Sequence, residues 1–362
     1  MKRHRWLVMG AVFALLAVLV YIQFRTLKSF QWFTLAQTFG SIRWMQLALA
    51  TGLIYGAYIA RAFRWSLFLR PTKPASPAQM VPAQFIGFTS VAILGRLGEF
   101  VRPYLVARRQ QATFTSQLAV YAVERVFDLL AAAGIVAVTL SISPSVRNLP
   151  YHEQFRRAGY FGIGLALLLA LVAVAIRLNG PKIADFASRW LGVLSKKLAH
   201  AVHEKVLAFS HGLDAIAGWS ELLLALFYSF LTWGLIALGY VVVVHSFAVP
   251  ELASIPPAQT VLLMAGSLFG SFAQLPAIGG GSQVVVIYVL TSVLHVGPEA
   301  ATACALTLYV VTFLTVIPAG LAFARVEHVS LRNVAKASET EEEELEASSA
   351  GSDEPQQAHS LP

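Results

Sequence analysis

Six ionisable residues sit together in an apolar part of the chain: Arg96, Glu99, Arg102, Glu124, Arg125 and Asp128, within GRLGEFVRPYLVARRQQATFTSQLAVYAVERVFD from Gly95 to Asp128. A charge inside a bilayer is costly unless it is paired or wetted, so such a group marks a site of function. Arginine stays charged and holds phosphate oxygens through two hydrogen bonds. Carboxylates would balance the arginines when no anion is bound, and would pair with an ammonium if the ligand carried one. Arg102 and Arg125 are therefore read as phosphate contacts, with Glu99, Glu124 and Asp128 as their counter-charges.

The spacing is helical. Glu124 and Asp128 share a face at i, i+4, and Arg125 reaches Asp128 at i, i+3. Ser116 to Ile142 is long enough to cross a membrane, and Glu124 lies about 12 Å into it at the helical rise. That depth approaches the middle of a hydrocarbon core about 30 Å thick. Arg61 and Arg64 share a face in RAFRW near the end of the run Trp44 to Leu69. Anchoring at the lipid interface is the plainer reading of that pair, and ligand binding the sharper one.

The elements that must position these residues are membrane helices. The 362 residues are 57% hydrophobic and 13% charged, where soluble domains run at about 25% charged. Mean hydropathy is +0.65. Full spans are expected at Trp6 to Ile22, Trp44 to Leu69, Ser116 to Ile142, Tyr160 to Ile176, Leu222 to Val244 and Ala300 to Phe323. KRHR before the first span resembles a secretory signal, but no cleavage site follows, so an uncleaved helix is expected. Met80 to Leu94 and Thr260 to Leu275 are too short to cross comfortably, and each stops at a Gly-rich break. Such segments predict re-entrant hairpins.

The expected fold is therefore all-α and polytopic, with six spans and two broken hairpins in an inverted repeat. Residues 1–176 and 220–326 form its halves. Between them, 177–219 reads as a basic amphipathic stretch on the cytoplasmic surface. Residues 327–362 read as a disordered acidic cytoplasmic tail. His203, His211 and Asp214 in the linker have no metal-ligand spacing, and Cys304 is the single cysteine. No metal, cofactor or nucleic-acid partner is expected.

The repeat rests on PAQ, at Pro77 to Gln79 and again at Pro257 to Gln259, each followed by an apolar run and a break. The breaks are GRLGE from Gly95 and GGGSQ from Gly279. Counting onward at the same step places Glu124 opposite Leu308, Arg125 opposite Tyr309 and Asp128 opposite Thr312. With the hairpins opening on opposite sides and both termini inside, 20 of the 27 Lys and Arg fall in the cytoplasm and 6 outside, Arg125 lying in the membrane. That bias supports the arrangement. Inverted halves with one interrupted segment each point to a transporter with its site at their interface. Gly279, Gly280 and Gly281 would let backbone N–H groups at a helix start face an anion, beside Gln283.

RAFRW, GRLGEFVRP, VERVFDLL and the late PAIGGGSQ break together resemble the transmembrane region of lysylphosphatidylglycerol synthases, a flippase-like family. The resemblance covers residues 1 to about 326. It implies movement of a phosphate-bearing, in some cases aminoacylated, lipid between leaflets. It aligns Glu99 and Arg102 with the family's Gly-Glu-Arg element, and Glu124, Arg125 and Asp128 with its Glu-Arg-Asp helix. Two departures stand out. Many relatives carry Glu where this chain has Gln283, and no aminoacyl-transferring domain follows residue 326, so no synthase activity is expected.

The expected function is a lipid flippase of the cell inner membrane, not an enzyme. A scaffold for an envelope enzyme and an intramembrane transferase on a lipid-linked substrate are the alternatives. A second copy or an envelope enzyme as partner is left open.

Overall fold

The computed structural model describes residues 30–330 apart from 71–73, 148, 150–151, 193–198, 201, 205, 208–209, 211–217, 272–273 and 276–278. The first expected span, the acidic tail, His211 and Asp214 lie outside the described residues. The rest is helical, with α1 (Trp32–Gly40), α2 (Trp44–Leu69), α3 (Pro77–Leu94), a 3-10 turn (Gly95–Phe100), α4 (Val101–Gln110) and α5 (Phe114–Ile142) making the first half. The longer helices that follow are α6 (His152–Gly192), α7 (Trp219–His245), α8 (Pro257–Gly270), α9 (Gly281–Tyr288), α10 (Pro298–Tyr309) and α11 (Val316–Val326). A two-residue antiparallel ladder, β1 (Gln274–Leu275) with β2 (Gly279–Gly280), closes the second break.

Among the described residues five stretches are long and apolar enough to cross a membrane: Pro77–Leu94, Ser116–Ile142, Glu153–Ile176, Trp219–His245 and Pro298–Val326. α2 is 26 residues long, about 39 Å at the helical rise, and carries Arg61 and Arg64 in its last third. Two expectations change in detail. α3 alone has the length of a span, because its start extends back to the capping box of Ser76 with Gln79 and to Pro77 at the first helical position. The closing span is interrupted by a π turn at Val310–Leu314.

Both expected hairpins are present. α4 turns back onto α3, and α9 onto α8. Gly95 ends α3 at φ 67° and Gly280 precedes α9 at φ 132°, conformations that side chains with a Cβ rarely adopt. The open ends of the hairpins lie on opposite faces. Arg109, at the end of α4, pairs with Glu327 just past α11 at 3.1 Å. Gln259, at the start of α8, donates to the Ser145 carbonyl at 2.8 Å, and Gly297, just before α10, donates to Glu251 at 2.8 Å. Gly297 and Glu327 flank the 29-residue stretch Pro298–Val326, so the two sets of contacts are separated by about 44 Å of helix.

α6 runs 41 residues without a loop, kinked at Asn179 ahead of Pro181. The fourth span thus passes directly into the expected surface stretch, where Phe186 and Trp190 are exposed. His203 meets Asp185 at 3.0 Å.

Two apolar clusters hold the bundle. One gathers the first part of α2 up to Tyr58 with α7 and the second hairpin. The other gathers α2 from Ala62 with α3, α4 and α5. Arg61 and Arg64 fall at the seam between them.

Candidate functional site

At that seam four arginines from three elements converge on two acids of α5. Arg61 and Arg64 are one turn apart on α2, as Glu124 and Asp128 are on α5. Arg61 reaches Asp128 at 2.6 Å and Glu124 at 3.5 Å. Arg64 Nη2 bridges the two acids, 2.7 Å from each. Arg102 of α4 reaches Glu124 at 2.5 Å and Gln84 at 2.7 Å. Arg125 reaches Asp128 at 3.1 Å. Neutral groups of α7 complete the cluster: Ser229 accepts from Arg64 at 2.6 Å, and Trp233 donates to Asp128 at 3.2 Å.

The interfacial-anchor reading of Arg61 and Arg64 is therefore corrected. Both side chains are buried, because α2 turns its arginine face inward to α5 and α7 and not toward headgroups. Arg102 is enclosed too, its guanidinium over the rings of Trp65, Phe88 and Tyr121, where ring faces attract a cation. Arg125 differs: its side chain is 44% exposed against 0% for Arg64. Glu99 joins through another group, accepting from the Tyr121 hydroxyl at 2.5 Å. Arg96 lies on the 3-10 turn, and its side chain is outside the described set.

The cluster carries more positive than negative charge. Arg61, Arg64, Arg102 and Arg125 face Glu124, Asp128 and Glu99, which leaves one cation in surplus. Glu124 and Asp128 spend their oxygens on guanidinium groups, while the Nε atoms of Arg61 and Arg64 are buried with no hydrogen-bond partner among the described residues.

Two cavities meet this cluster. The larger, about 280 Å³, lies between the halves; among mostly apolar side chains it is lined by Arg61 and Arg125 from the first half and by Ser267, Ser271, Ser282 and Gln283 from the second. Leu308, Tyr309 and Thr312 also line it. These are the repeat counterparts of Glu124, Arg125 and Asp128, so the second half presents uncharged side chains where the first presents charge. The smaller, about 70 Å³, is bounded by Glu99, Arg102, Tyr121, Gly87 and Val91. Phe88 and Arg125 line both.

The second break does not act as expected. Gly279 and Gly280 are engaged in the ladder, and the Gly280 N–H donates to Gln283 Oε1 at 2.8 Å. Its side-chain cap leaves that amide unavailable to a ligand. Gly281 begins α9, and the groups from this break that reach the cavity are Ser282 and Gln283. Among the described residues no group of three or more His, Cys, Asp or Glu is placed to hold a metal.

Sequence reasoning missed Gln84, Ser229, Trp233 and Tyr121. Gln84 and Ser229 carried a usable signal, each being a polar residue inside an otherwise apolar run. Trp233 and Tyr121 carried none, since aromatic residues are common throughout these helices.

The architecture and the buried charges define a multi-pass helical membrane protein whose charged cluster borders an internal cavity. The chain matches the family described as lysylphosphatidylglycerol synthase TM region over residues 7–320, and it belongs to that family. A lipid-related role in the membrane follows at that level. No curated protein and no solved structure matches the chain.

Proposed function

We propose that this protein moves a phosphate-bearing lipid between the leaflets of the cell inner membrane, with both termini in the cytoplasm and no bond made or broken. The observation that carries this reading is that Arg61 and Arg125, members of a cluster with one cation in surplus, line a cavity shared by two oppositely opening hairpins. A phosphate in hydrocarbon is prohibitive without a polar path. Arg61 and Arg125 would hold the phosphate, and Glu124 and Asp128 keep the arginines neutralised between turnovers. Phe88 and Arg125, common to both cavities, stand where a headgroup would pass from one to the other. The acyl chains would remain in the bilayer, since a headgroup alone is commensurate with the cavity.

The alternatives in which the chain scaffolds an envelope enzyme or transfers a group to a lipid leave the cationic surplus without a task. The deciding measurement is leaflet translocation of labelled phospholipids in proteoliposomes. Transport by the native chain and its loss in Arg125→Ala is the expected result. A native chain that moves no phospholipid, while well folded, would overturn the proposal.

A further inference from the structure

We infer that the headgroup this cavity takes is a hydroxylated phosphodiester without an ammonium group, and that amine-bearing headgroups are disfavoured. This rests on the transport reading above and names its substrate class.

The charged side chains lining the larger cavity are Arg61 and Arg125, and no carboxylate lines it among the described residues. The acids behind them are closed off: the Glu124 side chain is 1% exposed and bonded to Arg64 and Arg102, and Asp128 is held by Arg61 and Arg64. An ammonium entering with the phosphate would lie beside guanidinium groups with no carboxylate on the cavity wall; the ring faces of Phe88 and Trp233 are already drawn to Arg61, so the juxtaposition is unfavourable.

The rest of the wall is uncharged, mostly apolar with a few hydroxyl groups. The Ser271 hydroxyl donates to the Leu268 carbonyl, the Ser282 hydroxyl to Gln283 Oε1, and the Thr312 hydroxyl to the Leu308 carbonyl. With their protons so committed, the Ser271 and Ser282 oxygens offer acceptor lone pairs, while the Thr312 hydroxyl also meets Tyr240. Headgroup hydroxyls are the matching donors. The same oxygens would satisfy the N–H groups of an ammonium but not its charge. Glu99 lies outside the larger cavity and borders only the small one, where it faces Arg102 and Arg125 and accepts from the Tyr121 hydroxyl.

Gln283 is where this selectivity is open to change. Its Oε1 accepts from the Gly280 N–H and the Ser282 hydroxyl, and a glutamate would keep both bonds while bringing a negative charge to the neutral wall. Gln283→Glu thus keeps the cap of the break and is opposite in charge preference. Ser267→Asp brings a carboxylate to the same wall without touching the break.

The test is a comparison of labelled phosphatidylglycerol, phosphatidylinositol, phosphatidylethanolamine and lysylphosphatidylglycerol on the full chain. Translocation is read in proteoliposomes, and headgroup binding separately by native mass spectrometry of the detergent-solubilised protein. The expected result is a preference of about tenfold or more for the two polyol lipids in both readouts, narrowed or reversed in Gln283→Glu and in Ser267→Asp. Equal or better handling of the two amine-bearing lipids by the native chain overturns the inference and leaves the transport reading standing. Absence of translocation overturns the transport reading, and the binding readout still decides the headgroup preference. An unchanged preference in both variants would show that this wall does not set it.

Discussion

Arg61 Nη1 lies 2.6 Å from Asp128 Oδ2 and joins α2 to α5 across 67 residues of chain. Arg64, one turn on, bridges Asp128 to Glu124, one turn back. Two arginines a turn apart therefore hold two acids a turn apart, and the relative height of the two helices is fixed by charge. Sliding one helix by a turn, about 5.4 Å, would leave one arginine and one acid without each other. The apolar clusters on either side would resist such a slide only weakly, since one aliphatic surface packs much like another.

Removing Asp128 should expose how much of this is electrostatic. Asp128→Ala leaves Arg61 and Arg64 buried with one acid between them, and loss of one partner from a buried network costs about 3–5 kcal/mol. Adding Arg61→Met removes one unpaired cation and should recover part of the loss. Unfolding in lipid nanodiscs across the four members of the cycle measures the coupling. Simple additivity of the two losses would mean that the contact contributes little.

The first hairpin should be sensitive to one small substitution. A Cβ on Gly98 would strike the Ser90 backbone carbonyl, whereas one on Gly52 meets nothing within 4 Å. Gly98→Ala is expected to destabilise the protein by about 1–3 kcal/mol, because backbone must move. Gly52→Ala lies in a helix interior and should be neutral or stabilising by up to about 1 kcal/mol. Thermal unfolding of the two variants side by side tests the close packing of the 3-10 turn against α3.

Orientation in the membrane has a direct readout, since Cys304 is the chain's single cysteine and is fully buried. It should give no background with a membrane-impermeant maleimide. Arg108→Cys and Gln154→Cys both place a thiol at an exposed position. With the termini inside, Gln154→Cys should label in intact cells and Arg108→Cys only after permeabilisation. The reverse pattern would invert the proposed topology.

Much of the fold was legible because membrane helices advertise themselves by length and apolarity, and because Pro and Gly mark hairpin breaks regardless of what packs around them. The charged triad on α5 was legible for the same reason, as charge in an apolar run has no neutral explanation. What was not legible is the partner choice. Arg61 and Arg64 lie near the end of an apolar run, where snorkelling to the interface and inward pairing give the same sequence. Only the packing of α2 against α7 decides which way that face turns. At Gly280 the reading of the second break met a similar limit: glycine reveals that backbone can come close, not what it approaches, and here Gln283 takes the Gly280 amide.

Arg125 separates the structural part of the cluster from the functional part. Its side chain is 44% exposed, lines both cavities and touches the cluster chiefly through Asp128. Asp128 also holds Arg61 and Arg64, so Arg125→Ala leaves no acid unpaired and should change unfolding by less than about 1 kcal/mol, as an exposed pair does. Arg64→Ala, by contrast, strips both acids of a buried partner and should be strongly destabilising. Lipid movement should follow the opposite order of interpretability: in Arg125→Ala the fold survives, so a fall in translocation of about tenfold or more reports the lost phosphate contact. Arg125→Lys keeps the charge but not the planar fork, and should fall between the native chain and alanine. If lysine and alanine were equally inactive while folded, hydrogen-bond geometry and not charge would be what the headgroup requires; if both matched the native chain, Arg125 would have no part in holding it.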